Sequence, residues 1–277
     1  MKKIEEELTE LVRRTSCEIP SDVRTALERA FRREEKGSPA KSVLRTILGN
    51  IALAAEGSVP VCQDTGTLTF FVDFSLRRKV AVGKIKAAVR EATRLGYLRK
   101  NTLSPVSGKS FDDNTCDGAP VIHYGDYPKK DGKAQVTLVM KGGGSENMSR
   151  QYSLPDAELA AGRDEEGVKK CVLDAVWRAQ GYGCAPGVLG VCVGGDRAAG
   201  YETAKAQLLR PLDEKAAKLE KELLEKANSL GIGPMGLGGK TTLLAIKIAE
   251  RPRVPASFFV TVAYMCWALR RRTIWLD

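Results

Sequence analysis

The stretch Pro60–Phe74, PVCQDTGTLTFFVDF, constrains this chain more than any other. Cys62, Gln63, Asp64, Thr65 and Gly66 place a thiol, an amide, a carboxylate and a hydroxyl directly ahead of a run of strand formers, Leu68, Phe70, Phe71, Val72 and Phe74. A polar loop at the mouth of a strand is where a rigid sheet positions catalytic groups. Taken alone, CQDTG reads first as a polar turn with an incidental free thiol. Other unusual stretches along the chain change that balance.

The chain has 277 residues, 43% of them hydrophobic and 28% charged. That suits a globular protein of one large domain or two smaller ones. No apolar run is long enough to span a bilayer, so no membrane partner is expected. The N-terminus, MKKIEEELTELVRR, has acids where a signal peptide has its apolar core; it reads as a helix of a cytoplasmic protein. The formal net charge of +10 raises nucleic acid as a partner. The basic residues are mostly mixed with acids, as in EKAAKLEKELLEKA, which marks a solvated helix face. No nucleic-acid motif or aromatic platform is present, and no nucleic acid is expected. The exposed exception is Arg270, Arg271 and Arg272. The seven cysteines are odd in number and contain no CxxC pair, which fits neither a disulfide framework nor a zinc finger.

Residues 1–56 read as helices, with Ile4, Leu8, Val12 and then Val23, Leu27, Phe31 at helical spacing. Pro39 opens a third helix and Gly57 stops it. A helix over Val82–Leu95 follows the first strand. Residues 101–119 read as a long functional loop. Strands are expected at Pro120–Tyr124 and Ala134–Met140. The second runs into KGGGSEN, where Gly142, Gly143 and Gly144 let backbone amides approach a ligand; a flexible hairpin is the competing reading. A helix at Asp164–Gln180 leads to GYGCAPG, a buried strand and a helix at about Ala199–Leu208. A charged helix covers Asp213–Leu230. GIGPMGLGGKTT lacks the glycine spacing of a P-loop and follows a helix, so Lys240, Thr241 and Thr242 are candidates for an acidic substrate or a partner chain. A final strand, SFFVTVAYM, ends in Cys266 and a basic tail. The fold class is α/β: mixed sheets flanked by helices, a single two-lobed unit over 1–277 with an N-terminal helical segment.

PVCQDTG, KGGGSEN, GYGCAPG, GIGPMGLGGKTT and PAS…CWALRR, in this order, resemble the α subunit of two-subunit class I fumarate hydratases and tartrate dehydratases. The same module resembles the N-terminal domain of the single-chain class I enzymes. The resemblance extends over nearly the whole chain. It implies a 4Fe–4S cluster held by Cys62, Cys184 and Cys266, with one iron open to substrate. It implies that Gln63 and Asp64 bind the substrate hydroxyl and act catalytically on it. Gly142, Gly143, Gly144 and Lys240 would contact substrate carboxylates. Asp64 as a turn cap remains the competing reading of that residue. Cys17, Cys171 and Cys192 lie in apolar or helical contexts and are assigned to packing.

The function implied is that of a hydro-lyase acting on a small hydroxy-dicarboxylic acid, active only with a β subunit, in an assembly of two α and two β chains. The remaining active-site groups of the family lie in that β subunit, so the chain reads as half an enzyme. Two departures stand out. Asn114–Gly118 reads NTCDG, with Cys116 in place of a glycine. Val254 stands where the family has a histidine, and valine carries no proton. They motivate the alternative of a noncatalytic relative that binds a metabolite or a partner. His123, the only histidine, reads as structural.

Overall fold

The computed structural model describes residues 2–277. Its elements run in the order α1 (Lys2–Cys17), α2 (Ser21–Arg33), α3 (Pro39–Gly57), β1 (Thr67–Asp73), α4 (Val82–Arg94), β2 (Thr102–Leu103), β3 (Ser110–Phe111), β4 (Val121–Gly125), β5 (Ala134–Lys141), α5 (Gly143–Asn147), β6 (Arg150–Ser153), α6 (Glu165–Ala179), β7 (Gly187–Gly194), α7 (Arg197–Gln207), α8 (Lys218–Ser229), β8 (Leu243–Arg251), β9 (Phe259–Met265) and β10 (Arg270–Leu276). The α/β reading and the N-terminal helical segment hold. The chain forms two compact units. One comprises residues up to 20, 49–143 and 268–277; the other comprises 21–48 and 144–267.

The first unit is built on a sheet of order β10-β5-β1-β4. β1 runs parallel to β4, with Phe70 opposite Ile122, and antiparallel to β5, with Phe70 opposite Leu138. Leu68, Phe70 and Val72 alternate inward, as strand periodicity requires, and join a core with Leu8, Val12, Ile85 and Val89 from α1 and α4. Burying Phe70 fully contributes roughly 1.5–3 kcal/mol. Between those positions, Phe71 stacks on His123 with centroids 5.3 Å apart. α4 stops at Gly96, whose φ of +79° suits glycine.

The second unit has a sheet of order β6-β9-β7-β8, with β7 parallel to β8 and antiparallel to β9. α7 lies so close to β7 that a Cβ at Gly190 would stand 2.0 Å from the Ala204 carbonyl oxygen. α6 and α8 contribute Val172, Ala175 and Leu223 to a core with Leu189, Ile246 and Val262. Asp164 caps α6 by accepting the Gly167 N–H at 2.7 Å.

The structure changes several expectations. Arg270–Arg272 are no exposed tail: they open β10, pairing with Met140, Val139 and Leu138 of β5. The edge of β5 presents N–H and C=O groups that need partners, and backbone pairing overrides the solvation preference of the side chains. Arg270 is 1% exposed, and Arg272 donates to Glu18 at 3.0 Å. Gly143 and Gly144 of KGGGSEN open a short helix, α5, and only Gly142 stays outside it. The charged helix begins at Lys218, because Glu220 turns back to the Ala217 N–H at 2.8 Å. Residues 243–251, left unassigned by periodicity, form the strand β8. The 101–119 loop holds the two-stranded hairpin of β2 and β3.

Candidate active site

In the first unit, the loop between α3 and β1 is fastened at each step. The Val61 N–H reaches the Ser16 carbonyl at 3.1 Å, and Asn50 donates to the Val61 carbonyl at 2.9 Å. Thr65 is buried; its hydroxyl donates to the Arg99 carbonyl at 2.8 Å and accepts the Arg99 N–H at 2.9 Å. Gly66 has a φ of +74°, and a Cβ there would sit 2.5 Å from the Lys141 carbonyl group. Only glycine meets both conditions. Cys62 and Asp64 are half-buried on this loop and Gln63 is exposed.

Asp64 Oδ2 accepts the Gly143 N–H at 2.7 Å. A Cβ on Gly142 would stand 2.8 Å from the same oxygen, so the bare backbone at Gly142 makes room for the carboxylate. The amide expected to meet a substrate carboxylate thus holds a protein carboxylate instead. Gly144 is exposed. Asp64, Gly66, Thr102, Asn114 and Gly143 help to line a cavity of about 330 Å³, within the range of small-molecule sites. Asn114 fixes its rim: fully buried at a φ of +60°, it accepts the Asn101 and Thr102 N–H groups and donates to Thr93 and the Arg99 carbonyl. The neighbouring Cys116 donates its thiol to the Asp117 carbonyl.

Sequence reasoning missed Arg270. It is buried, and its Nε and Nη1 find no hydrogen-bond partner among the described residues. Its Nη2 lies 3.9 Å from the point where a Gly142 Cβ would stand, beside the Asp64 carboxylate. The one legible signal was its setting after the apolar residues Ala268 and Leu269.

The second unit holds Cys184 and Cys266. The antiparallel register, Val188 opposite Met265, brings both to the same end of the β7–β9 pair. The Trp267 N–H then donates to the Cys184 carbonyl at 3.2 Å. The turn wraps the ring of the buried Tyr264: a Cβ at Gly183 would lie 2.3 Å from it, and one at Gly187 2.6 Å. Cys184 itself takes a φ of +54°. Burial pushes the Tyr264 phenol up, and the nearby Cys266 and Cys184 thiols add to the shift. Lys240 lies on the glycine loop of this unit. Its N–H donates to both oxygens of the buried Glu34 at 3.0 Å, and its exposed ammonium pairs with Glu35 at 3.4 Å. Val254 is 64% exposed.

Six of the cysteines fall into two classes, and the seventh, Cys116, is partly accessible. Cys17, Cys171 and Cys192 are buried, and burial pushes their thiols up, the first to about 11 and the second to about 12. Cys62, Cys184 and Cys266 are each at least partly accessible and in no disulfide. That donor chemistry suits a sulfur-ligated group, because a ligand must be a thiolate and must be reachable. Within either unit, no three His, Cys, Asp or Glu side chains among the described residues gather closely enough to hold an ion. No described helix is long and apolar enough to cross a membrane.

Comparison with known proteins gives a consistent picture. The family model for fumarate hydratase (Fumerase) matches residues 5–275. A putative class I fumarate hydratase of Geobacillus stearothermophilus is 45% identical over all of this chain, which spans 55% of that relative's length. A putative L(+)-tartrate dehydratase subunit alpha of Methanocaldococcus jannaschii is 36% identical, covering 97% of this chain and 96% of the relative. The L(+)-tartrate dehydratase subunit alpha of Escherichia coli K12 is 31% identical, covering 94% and 86%.

Proposed function

Because the chain belongs to the fumarate hydratase (Fumerase) family, we propose that it is the α subunit of an iron–sulfur hydro-lyase. It reversibly adds or removes water on a small hydroxy-dicarboxylic acid of the fumarate–malate or tartrate type. The observation that carries the chemistry is the Asp64 carboxylate, held at the mouth of β1 by the Gly143 N–H at 2.7 Å. A turn cap bonds amides of its own turn; this bond spans 79 residues.

Cys62, Cys184 and Cys266 would hold a 4Fe–4S cluster. When bound, the group supplies a Lewis-acidic iron for the substrate hydroxyl. Asp64 keeps Oδ2 on Gly143, which leaves Oδ1 to accept the hydroxyl proton. The exposed Gln63 amide orients that hydroxyl from the adjacent position. The backbone at Gly142 and Gly144 faces the substrate carboxylates, while the Gly143 N–H stays on Asp64. Lys240 reaches a carboxylate by leaving Glu35, an exposed pair that contributes little.

Two of the relatives are named subunit alpha, which supports a β partner that completes the active site. The finer reading is a symmetric tetramer of two α and two β chains. The seven cysteines, none of them in a disulfide among the described residues, suit the reducing cytoplasm. Anaerobic coexpression with a β-like chain, followed by assays of fumarate hydration and of malate and tartrate dehydration, tests the proposal. Turnover that needs both chains supports it. A cluster-loaded pair inert toward every hydroxy diacid overturns it.

A further inference from the structure

The buried, unpartnered guanidinium of Arg270 points to a ligand. An arginine cannot shed its charge inside a protein. Burying that charge without a partner carries a standing cost, which an anion seated against it removes. Arg270 is 1% exposed, and its Nε and Nη1 are both without a hydrogen bond among the described residues. The nearest acid on its Gly142 side is Asp64, yet Asp64 commits Oδ2 to the Gly143 N–H at 2.7 Å and makes no ion pair with Arg270 among the described residues. A Cβ at Gly142 would stand 2.8 Å from Asp64 Oδ2 and 3.9 Å from Arg270 Nη2, so the acid and the cation both border the Gly142 backbone.

We infer that Arg270 and Asp64 together recognise a 2-hydroxy carboxylate: the carboxylate docks on the Arg270 fork and the neighbouring hydroxyl donates to Asp64. The inference deepens the proposed function and rests on it. A guanidinium binds a carboxylate through two parallel N–H···O bonds, so Nη2 would be satisfied together with one of the two orphaned nitrogens. Acid and cation side by side match the two adjacent groups of such a ligand, and they clash with a carboxylate that approaches Asp64 itself. The α chain then carries one of the carboxylate cations, and not every arginine of the site comes from a partner.

The test uses the full chain and three probes, succinate, malate and tartrate, read by calorimetry and by thermal melting. Arg270→Met removes the charge at similar length, and Arg270→Lys keeps the charge without the fork. The ligand-free melting temperature of Arg270→Met is expected to equal or exceed that of the parent, because an unpaired buried charge is gone. Its malate dissociation constant is expected to weaken roughly 10- to 100-fold, the loss of a charge-assisted hydrogen bond, with Arg270→Lys between. Malate is expected to bind the parent more tightly than succinate, which lacks the hydroxyl. Equal malate affinity in parent and Arg270→Met overturns the inference, as does a parent that binds none of the three. A methionine variant that fails to fold also overturns it, unless Arg270→Lys folds and shows the intermediate loss. The proposed function fails separately, through absent turnover in the assembled pair, whatever Arg270 binds.

Discussion

Asp64 Oδ2 receives the Gly143 N–H at 2.7 Å, joining the loop before β1 to the first turn of α5 across 79 residues. This bond fixes one carboxylate oxygen of a residue that also helps to line the cavity.

Asp64→Asn keeps the size of the side chain and an oxygen acceptor for Gly143, but it loses the acid. Turnover of the assembled enzyme is expected to fall by about 10²- to 10⁴-fold, the usual range for a general acid–base group. Iron and sulfide content should stay unchanged. Normal turnover at normal cluster content would return Asp64 to the role of a loop fastener.

The glycines beside this bond should be sensitive in graded fashion. In Gly142→Ala the new methyl meets Asp64 Oδ2 at 2.8 Å, a side-chain atom that can swing away, so catalysis should suffer more than stability. In Gly66→Ala it meets the Lys141 backbone at 2.5 Å and also strains a φ of +74°. Overpacking of that kind costs roughly 1–3 kcal/mol or more, and denaturant melts of both variants should rank Gly66→Ala as the less stable.

Thiol accessibility should divide the cysteines. Alkylation of the folded chain near pH 8 should label Cys62, Cys184 and Cys266, together with the partly accessible Cys116, and spare Cys17, Cys171 and Cys192, whose thiols burial keeps protonated. Serine at any of the first three should abolish cluster binding, read by iron content and absorbance. Alanine at Cys171 should leave iron content intact. Mass spectrometry showing Cys184 protected in the cluster-free chain would contradict the assignment.

Stability should decline at alkaline pH. Burial raises the folded Cys17 thiol from 9.0 to about 11 and Cys171 to about 12. The folded state therefore holds protons that the unfolded state releases above pH 9. Unfolding becomes easier as pH rises through that window, by about 1.4 kcal/mol per unit of separation for each thiol. Melting temperatures measured from pH 8 upward should fall, and Cys17→Ala should flatten part of the slope.

Glu34 should anchor the glycine loop of the second unit. Its buried carboxylate accepts the Lys240 N–H with both oxygens at 3.0 Å. Glu34→Ala leaves that amide without its partner and should cost about 1–3 kcal/mol. Faster hydrogen exchange at Lys240 would be the local readout.

Local periodicity was enough to place α1 to α4, β1 and the strands of the 120–140 region, while the candidate ligand cysteines came from the resemblance of their motifs to the family. Helix spacing, Pro39 at a start and Gly57 at a stop are short-range signals, and the residues that make them also obey them. The separation of accessible from packed cysteines followed in the same way from their apolar neighbours. The tertiary structure alone decided the rest. Three consecutive arginines read as a solvated tail until β5 offers an edge, and Arg270, paired with Met140, is then buried. Lys240 reads as a free cation until Glu34 and Glu35, some 200 residues earlier, take its amide and its ammonium. The sequence does not say why Gly66 and Gly142 must be glycine until the Lys141 backbone and the Asp64 carboxylate fill the space a side chain would use. In each case the deciding partner is remote in sequence, so no window of neighbouring residues contains the free energy that fixes the outcome.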